Sequence, residues 1–267
     1  MTMESGEQHV ILITGASSGI GYAAALAFVG HGWHVAALAR RVERLTELSQ
    51  VVSMMRGDHG QLLMLEADVR DAAAMQRAVD QTTARFGRLD ALIANAGLGQ
   101  RGAVADSNWD DLETVMRTNM DGVLHSLRAA IPALRATHGH IVLVSSVTAE
   151  LTMPYTAVYG ATKAFVSSIA RSLRFELAAD GITVTDMLVG RTESEFSQRR
   201  LGQAGRGSRA GGVPVMSTEQ VAGAIVRAVE RRQRRVILRT FDRLLIWAHR
   251  ILPGFVGRMA MREYENR

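Results

Sequence analysis

Apolar residues along this chain follow two alternating patterns. Short, unbroken runs occur at Val10–Thr14, His34–Ala39, Gln61–Glu66, Asp90–Ala94, His140–Ser145, Thr183–Val189 and Val236–Leu238. Between them lie longer stretches with apolar positions at helical spacing, about 19–31, 41–56, 71–86, 110–137, 158–179 and 217–233. Most of the short runs lack the in-and-out alternation of a half-exposed strand. Continuous apolar runs suit parallel strands covered on both faces. Strand, helix, strand, repeated, predicts right-handed βαβ units and a doubly wound α/β sheet.

Two stretches depart from this rhythm. Ser197–Pro214 is rich in Gly, Arg, Ser and Gln. It is too long for a passive connection and reads as a mobile lid or a loosely ordered loop. Beyond about residue 240, Phe241, Leu244, Leu245, Ala248, Ile251, Leu252 and Phe255 recur at helical spacing, broadened by Ile246 and Trp247. They predict an amphipathic C-terminal helix over 240–256. Packing on its own body or on a partner subunit is the leading reading. A cover for the substrate pocket and a peripheral membrane contact are the alternatives. The stripe is too short to span a bilayer.

Composition narrows the class. The chain has 267 residues, 47% hydrophobic and 21% charged, the profile of a globular protein with a sizeable core. We expect one domain, with a core at about 8–240 and a helical extension at about 241–267. Cysteine is absent, which excludes disulfides and thiolate metal sites and fits a reducing, cytoplasmic setting. Met1–His9 has no signal-peptide pattern, and no apolar run approaches the ~20 residues of a membrane span. The eight histidines have no metal-ligand spacing, so no metal site is expected. The net charge of +5 belongs to the tail: Arg227–Arg267 holds eleven arginines against four acids, whereas the rest carries 20 basic and 22 acidic residues. No basic face interleaved with aromatics is present, so nucleic acid is not an expected partner.

Three clusters carry candidate chemistry. The first strand runs into Thr14-Gly15-Ala16-Ser17-Ser18-Gly19-Ile20-Gly21 and then a helix. Glycines at such a turn allow positive φ and close approach to a pyrophosphate, and the helix start offers free N–H groups. The second strand ends in Arg40-Arg41, where a dinucleotide site for the unphosphorylated cofactor would carry an acid. Two guanidiniums suit a 2′-phosphate, so NADP(H) is expected in preference to NAD(H). Third, 30 of the 31 basic residues are arginine, and the one lysine, Lys163, stands four residues after Tyr159. On a helix the two share a face. An ammonium there is expected to favour the phenolate and bring a phenol towards neutral-pH acid–base work.

Together these residues resemble the short-chain dehydrogenase/reductase family, in its single-domain branch, over about residues 8–240. The resemblance implies a Rossmann-type, seven-stranded parallel sheet in an α/β/α sandwich, with three helices per face. It implies cofactor contacts from Gly15, Ser17, Ser18, Gly19, Ile20 and Gly21, from Arg40 and Arg41, from Asp68 and Val69, and from Asn95-Ala96-Gly97. It implies a catalytic set of Asn119, Ser146, Tyr159 and Lys163, with Tyr159 and Lys163 also touching the cofactor. Asn119 is expected to distort its helix and expose a carbonyl for a water relay. Gly190 stands where the family often has Pro-Gly, and Thr192 is the expected contact to the nicotinamide carboxamide, with Ser194 as the alternative. Glu150 replaces a small turn residue and is expected either to face the substrate entrance or to be solvated.

The implied activity is NADP-dependent interconversion of a small-molecule carbonyl and a secondary alcohol, with Tyr159 as general acid/base. An epimerase or dehydratase on the same fold, or a non-enzymatic NAD(P)-binding regulator, stays open at this point. The family also implies a homodimer or homotetramer, paired through helices at about 110–137 and 158–179. Leu112, Val115, Met116, Val123, Leu127, Phe165, Ile169 and Leu173 are more apolar positions than one sheet face is expected to need.

Overall fold

The computed structural model describes residues 8–202 and 215–265. Its elements in chain order are β1 Val10–Thr14, α1 Gly19–Gly30, β2 His34–Ala39, α2 Val42–Ser53, β3 Leu62–Glu66, α3 Ala72–Phe86, β4 Ala91–Ala94, β5 Gln100–Arg101 and α4 Trp109–Met116. There follow α5 Gly122–Thr137, β6 His140–Ser146, α6 Ala157–Glu176, β7 Thr183–Val189, β8 Leu201–Gly202, α7 Thr218–Glu230, β9 Arg235–Ile237, α8 Thr240–Ile251 and α9 Pro253–Glu265.

Seven strands form one parallel sheet in the order β3-β2-β1-β4-β6-β7-β9. The continuous apolar runs explain the layering. Alternate residues of β1 enter opposite cores: Ile11 and Ile13 join α1, α2 and α7, whereas Val10 and Leu12 join α3, α5 and α6. The order reverses between β1 and β4, and a cleft opens beyond the strand ends there, as expected at a topological switch point.

Three features differ from the sequence reading. The helix expected over 110–137 is α4 and α5 joined by a wide turn at Arg117–Asp121, in which the Gly122 N–H reaches back five residues to the Arg117 carbonyl. The helix expected over 240–256 is two helices. Pro253 has no amide hydrogen to continue α8, and its ring forces Leu252 out of helical geometry (φ −131°, ψ 62°). The lid region is only partly in view: Leu201–Gly202 pairs with Gln100–Arg101, a contact the sequence did not announce, and 203–214 lie outside the described residues.

The apolar surplus on the proposed pairing helices is smaller than expected. Leu112 and Val115 are buried where α4 packs against α6 and the β5–β8 pair, and Val123 and Leu127 are buried in the core that α5 forms with the sheet and α3. Phe165, Ile169 and Leu173 are only partly buried, and Trp109 and Phe175 are exposed.

Candidate active site

The glycine turn is held by the end of β4. The Thr14 hydroxyl oxygen accepts the N–H groups of Asn95 and Ala96 at 3.0 and 3.1 Å. The Asn95 side-chain amide donates to the Thr14 carbonyl at 3.0 Å. Gly15 and Gly19 have φ of +70° and +55°, which side chains rarely tolerate. A Cβ on Gly15 would lie 2.9 Å from the Ala96 Cα, and one on Gly21 2.3 Å from the Gly15 carbonyl oxygen. The sequence therefore needs glycine here to fold the turn back on itself. Ser18 makes no side-chain cap bond to α1, so the helix start keeps N–H groups for an anion.

The basic end of the cleft is more organised than two free arginines. Arg41 donates to the Ser17 hydroxyl at 3.0 Å and the Ser18 hydroxyl at 2.8 Å, and so braces the turn. Arg40 is half exposed, 3.8 Å from Asp68. Asp68 is bound mainly by Arg70, at 2.7 Å. Burial raises the Asp68 carboxyl, but the Arg70 hydrogen bonds and the Arg70 and Arg40 charges outweigh it and hold it below the ordinary range. Arg44, one turn into α2, completes the cluster. Its place in the sequence, within four residues of Arg40 and Arg41, is the local signal that marks it.

On the opposite wall, β6 delivers Ser146 at its C-terminal end. The Ser146 hydroxyl oxygen accepts the Thr148 N–H at 3.2 Å. Tyr159 and Lys163 lie one turn apart on α6, and both line the cleft. The Lys163 ammonium is buried and donates to the Val144 carbonyl at 2.9 Å. Burial draws its pKa down to about 8. Tyr159 departs from expectation. Burial pushes its phenol above the ordinary value, against a hydrogen bond from Ser146 and the charge of Arg200. Lys163 is committed to Val144, and its charge does not lower the phenol here.

Asn119 sits at the middle of the wide turn, where the sequence placed a helix distortion. Its side chain accepts the Leu98 N–H at 2.8 Å, and donates to the Leu98 carbonyl at 2.9 Å and to the Thr162 hydroxyl at 3.0 Å. It thus ties the loop after β4 to α6 beside Lys163. A Cβ on Gly97 would come within 3.1 Å of the Asn119 Oδ1 and 3.5 Å of the Lys163 Nζ.

The structure brings nearly all of the expected residues to one cleft of about 610 Å³. Gly21 and Asn119 stand behind its surface; the others expected from the sequence, including Ile20, Val69, Gly190 and Thr192, line it. The glycine cradle and the open helix start fit a nicotinamide dinucleotide, and the Ser146–Tyr159–Lys163 wall faces the same space.

The mouth is built from the chain after β7 and from the C-terminal helices. Gly190 is needed because Asp242 and Arg239 press on it: an added Cβ would lie 2.4 Å from the Asp242 Oδ2. Those two form an ion pair at 2.6 Å. Phe241, Leu245, Val256 and Met259 line the cleft, so α8 and α9 cover part of the pocket. Glu150 neither faces the substrate entrance nor is solvated. Arg235 and Arg250 each hold its carboxylate at 2.8 Å, with Arg171 at 3.8 Å. Burial raises the Glu150 carboxyl, but the Arg250 hydrogen bond and the three charges outweigh it and leave it below the usual range. Glu195 and Phe196 reach the cleft from over 150 residues beyond the glycine turn, and no local pattern announces them.

A model of the short chain dehydrogenase family matches residues 9–204. The chain belongs to that family. It is 39% identical over 196 residues to sulfoacetaldehyde reductase 2 of Chromohalobacter salexigens, covering 72% of this chain and 76% of that protein. It is 36% identical over 239 residues to 11-beta-hydroxysteroid dehydrogenase 1A of Arabidopsis thaliana, covering 85% and 67%. Among solved structures, the alcohol dehydrogenase of Thermococcus sibiricus in complex with 5-hydroxy-NADP superposes with a TM-score of 0.75 at 26% identity, over 88% of this chain and 97% of that one. This short-chain dehydrogenase is an oxidoreductase.

Proposed function

We propose that this enzyme interconverts a carbonyl compound and a secondary alcohol with NADP(H), using Tyr159 as general acid/base. The observation that carries this reading is the facing arrangement of Ser146, Tyr159 and Lys163 across one cleft from the glycine turn and the Arg40–Arg41–Arg44 cluster. When bound, the nicotinamide supplies or accepts hydride. Ser146 and Tyr159 donate hydrogen bonds to the substrate oxygen. The Ser146 oxygen accepts from Thr148, and its hydroxyl hydrogen, given to Tyr159 in the free cleft, turns to the substrate oxygen when one is bound. In reduction Tyr159 releases its proton to that oxygen, and in oxidation it takes one back. Lys163 holds the nicotinamide ribose. Asn119 positions α6 and the loop after β4, and its wide turn provides a carbonyl for a water that returns the proton to solvent.

NADP(H) is favoured over NAD(H) because the cluster at the end of β2 offers guanidiniums in place of an acid. A panel of ketones, aldehydes and alcohols with NADPH and NADP, followed at 340 nm, tests the activity. Dissociation constants for NADPH and NADH test the preference.

The partner reading is a homodimer or homotetramer in the cytoplasm. Exposed Trp109 and Phe175 beside α4 and α6 support an assembly face. The outer side of α8 and α9 exposes Leu244, Trp247, Ile251, Leu252 and Phe255 next to Arg243, Arg250 and Arg258, a face for a partner subunit or, in second place, for anionic lipid. No described helix is long and apolar enough to cross a membrane. Deleting residues 240–267 separates the two: loss of the oligomer supports packing, and loss of vesicle binding alone supports the lipid surface.

A further inference from the structure

Three consecutive residues after β7 touch three separate parts of the cleft. Ser194 lies against the glycine turn, with its Cβ 3.3 Å from where a Gly19 side chain would begin. Glu195 spans two guanidiniums, with Oε2 3.2 Å from Arg41 and Oε1 3.1 Å from Arg44. Arg199, one turn later, holds the same carboxylate at 3.3 Å. Phe196 places its ring 5.8 Å from that of Tyr159. The segment is a strap from the basic cluster to the catalytic phenol.

The strap's anchor is an anion on an anion site. Arg41 holds Glu195 with one nitrogen and the Ser17 and Ser18 hydroxyls with another. Arg44 reaches the Ser17 carbonyl at 3.4 Å as well as Glu195. Two guanidiniums and two hydroxyls converging beside a glycine turn form a pocket for a tetrahedral anion. A carboxylate from a distant part of the chain fills the arginines' coordination. Nothing in the packing of the sheet requires an acid at this position.

We infer that Glu195 determines cofactor specificity, by competing with the ribose 2′-phosphate for Arg41 and Arg44 and by strapping Phe196 over Tyr159 until that phosphate displaces it. The inference rests on the NADP(H) reading above. A 2′-phosphate carries about −1.5 to −2 charge and three acceptor oxygens against one charge and two oxygens on the carboxylate, so it wins the arginines when present. The carboxylate has the advantage of being tethered, with an effective concentration of order millimolar. An unphosphorylated dinucleotide offers nothing to displace it, so the strap stays across the phenol. Release of Glu195 frees Ser194 and Phe196 together, because the three residues are contiguous. Discrimination therefore acts on turnover as well as on binding.

The test compares the full-length protein with Glu195→Gln by calorimetric titration of 2′,5′-ADP and of 5′-AMP. Relief of competition tightens 2′,5′-ADP by about tenfold in the variant, while 5′-AMP changes less than about twofold. Hydrogen exchange across 191–202 gives a second readout. In the unmodified protein 2′,5′-ADP accelerates exchange there, and in Glu195→Gln exchange is already fast and insensitive to the ligand. If the unmodified protein prefers 2′,5′-ADP but Glu195→Gln binds it equally or more weakly, the competition is refuted and the phosphate site stands. If the unmodified protein binds 5′-AMP as tightly as 2′,5′-ADP, the cofactor reading fails and this inference falls with it.

Discussion

The Lys163 ammonium donates to the Val144 carbonyl at 2.9 Å, two residues before Ser146, so the chain's one lysine is bolted to the strand that carries that serine. The site is buried and sized for a compact cation. A planar guanidinium cannot occupy the same volume and keep that bond. Lys163→Arg is therefore expected to lower kcat/KM by at least about 100-fold although the charge is retained. Steady-state kinetics check this, and full activity in the variant would remove the special role given to the lysine.

The same burial predicts a pH profile. With a pKa of about 8, Lys163 is charged below that pH and loses its proton above it. If the charged form is the working one, kcat/KM in the reductive direction declines as pH rises through about 8. An alkaline limb that begins only near the ordinary lysine value would contradict the assignment. Measuring kcat/KM from pH 6 to 10 with a fixed ketone decides it.

Arg40 is half exposed, and among the described residues its ion pair is with Asp68 at 3.8 Å, so it can be exchanged without unlocking the glycine turn that Arg41 braces. Arg40→Asp should weaken NADPH by about tenfold or more and bring NADH closer to parity. Arg41→Ala should weaken both cofactors, because Ser17 and Ser18 lose their partner too. Fluorescence titration of the two variants separates the effects.

His140, at the start of β6, is buried, and its Nε2 lies 2.7 Å from the Thr185 hydroxyl. That hydroxyl donates to the Gln233 carbonyl, so Nε2 carries the proton and the ring is neutral. Burial, and next the Arg232 charge, push its pKa down to about 3. Below about pH 6.5 the unfolded chain takes up a proton that the folded chain refuses. The stability contributed by the neutral ring is thus complete above pH 6.5 and is lost progressively as pH falls towards 3. By pH 4 the loss is of order 3 kcal/mol. Urea unfolding between pH 7 and 4 should show a shallower decline for His140→Gln than for the unmodified protein, and equal slopes would disprove the account.

Glu150 joins three elements through Arg171 of α6, Arg235 of β9 and Arg250 of α8. The arginines are partly exposed, which limits the contribution of the network to about 1–2 kcal/mol. Glu150→Gln should raise hydrogen exchange along 240–251 and leave the sheet protected. Uniform loosening of the whole molecule, or no change at α8, would argue against this anchoring.

Much of this was legible in the sequence because the signals were local. Each of the seven sheet strands lies within one residue of its apolar run, since a parallel strand must be apolar along its whole length. The glycine turn, Ser146 and the Tyr159–Lys163 pair were readable from spacing, and Asn119 from its poor fit to a helix. The C-terminal helix was read one element too long because its stripe continues past Pro253, which stops the backbone and not the pattern. The clasp of Glu195 on Arg41 was invisible because it joins positions 154 residues apart. The raised phenol of Tyr159 was missed for a different reason. Spacing gives the neighbour but not the burial, and burial outweighs every other influence on that group.

The central claim is that Tyr159 moves the proton and the cleft binds the cofactor independently of it. Tyr159→Phe tests both in one preparation, by titrating NADPH and then following its oxidation at 340 nm with a ketone that the unmodified enzyme reduces. The account predicts a dissociation constant within about twofold of the unmodified value and a turnover lowered by about 1,000-fold. A variant that still turns over at a tenth or more of the original rate would contradict it.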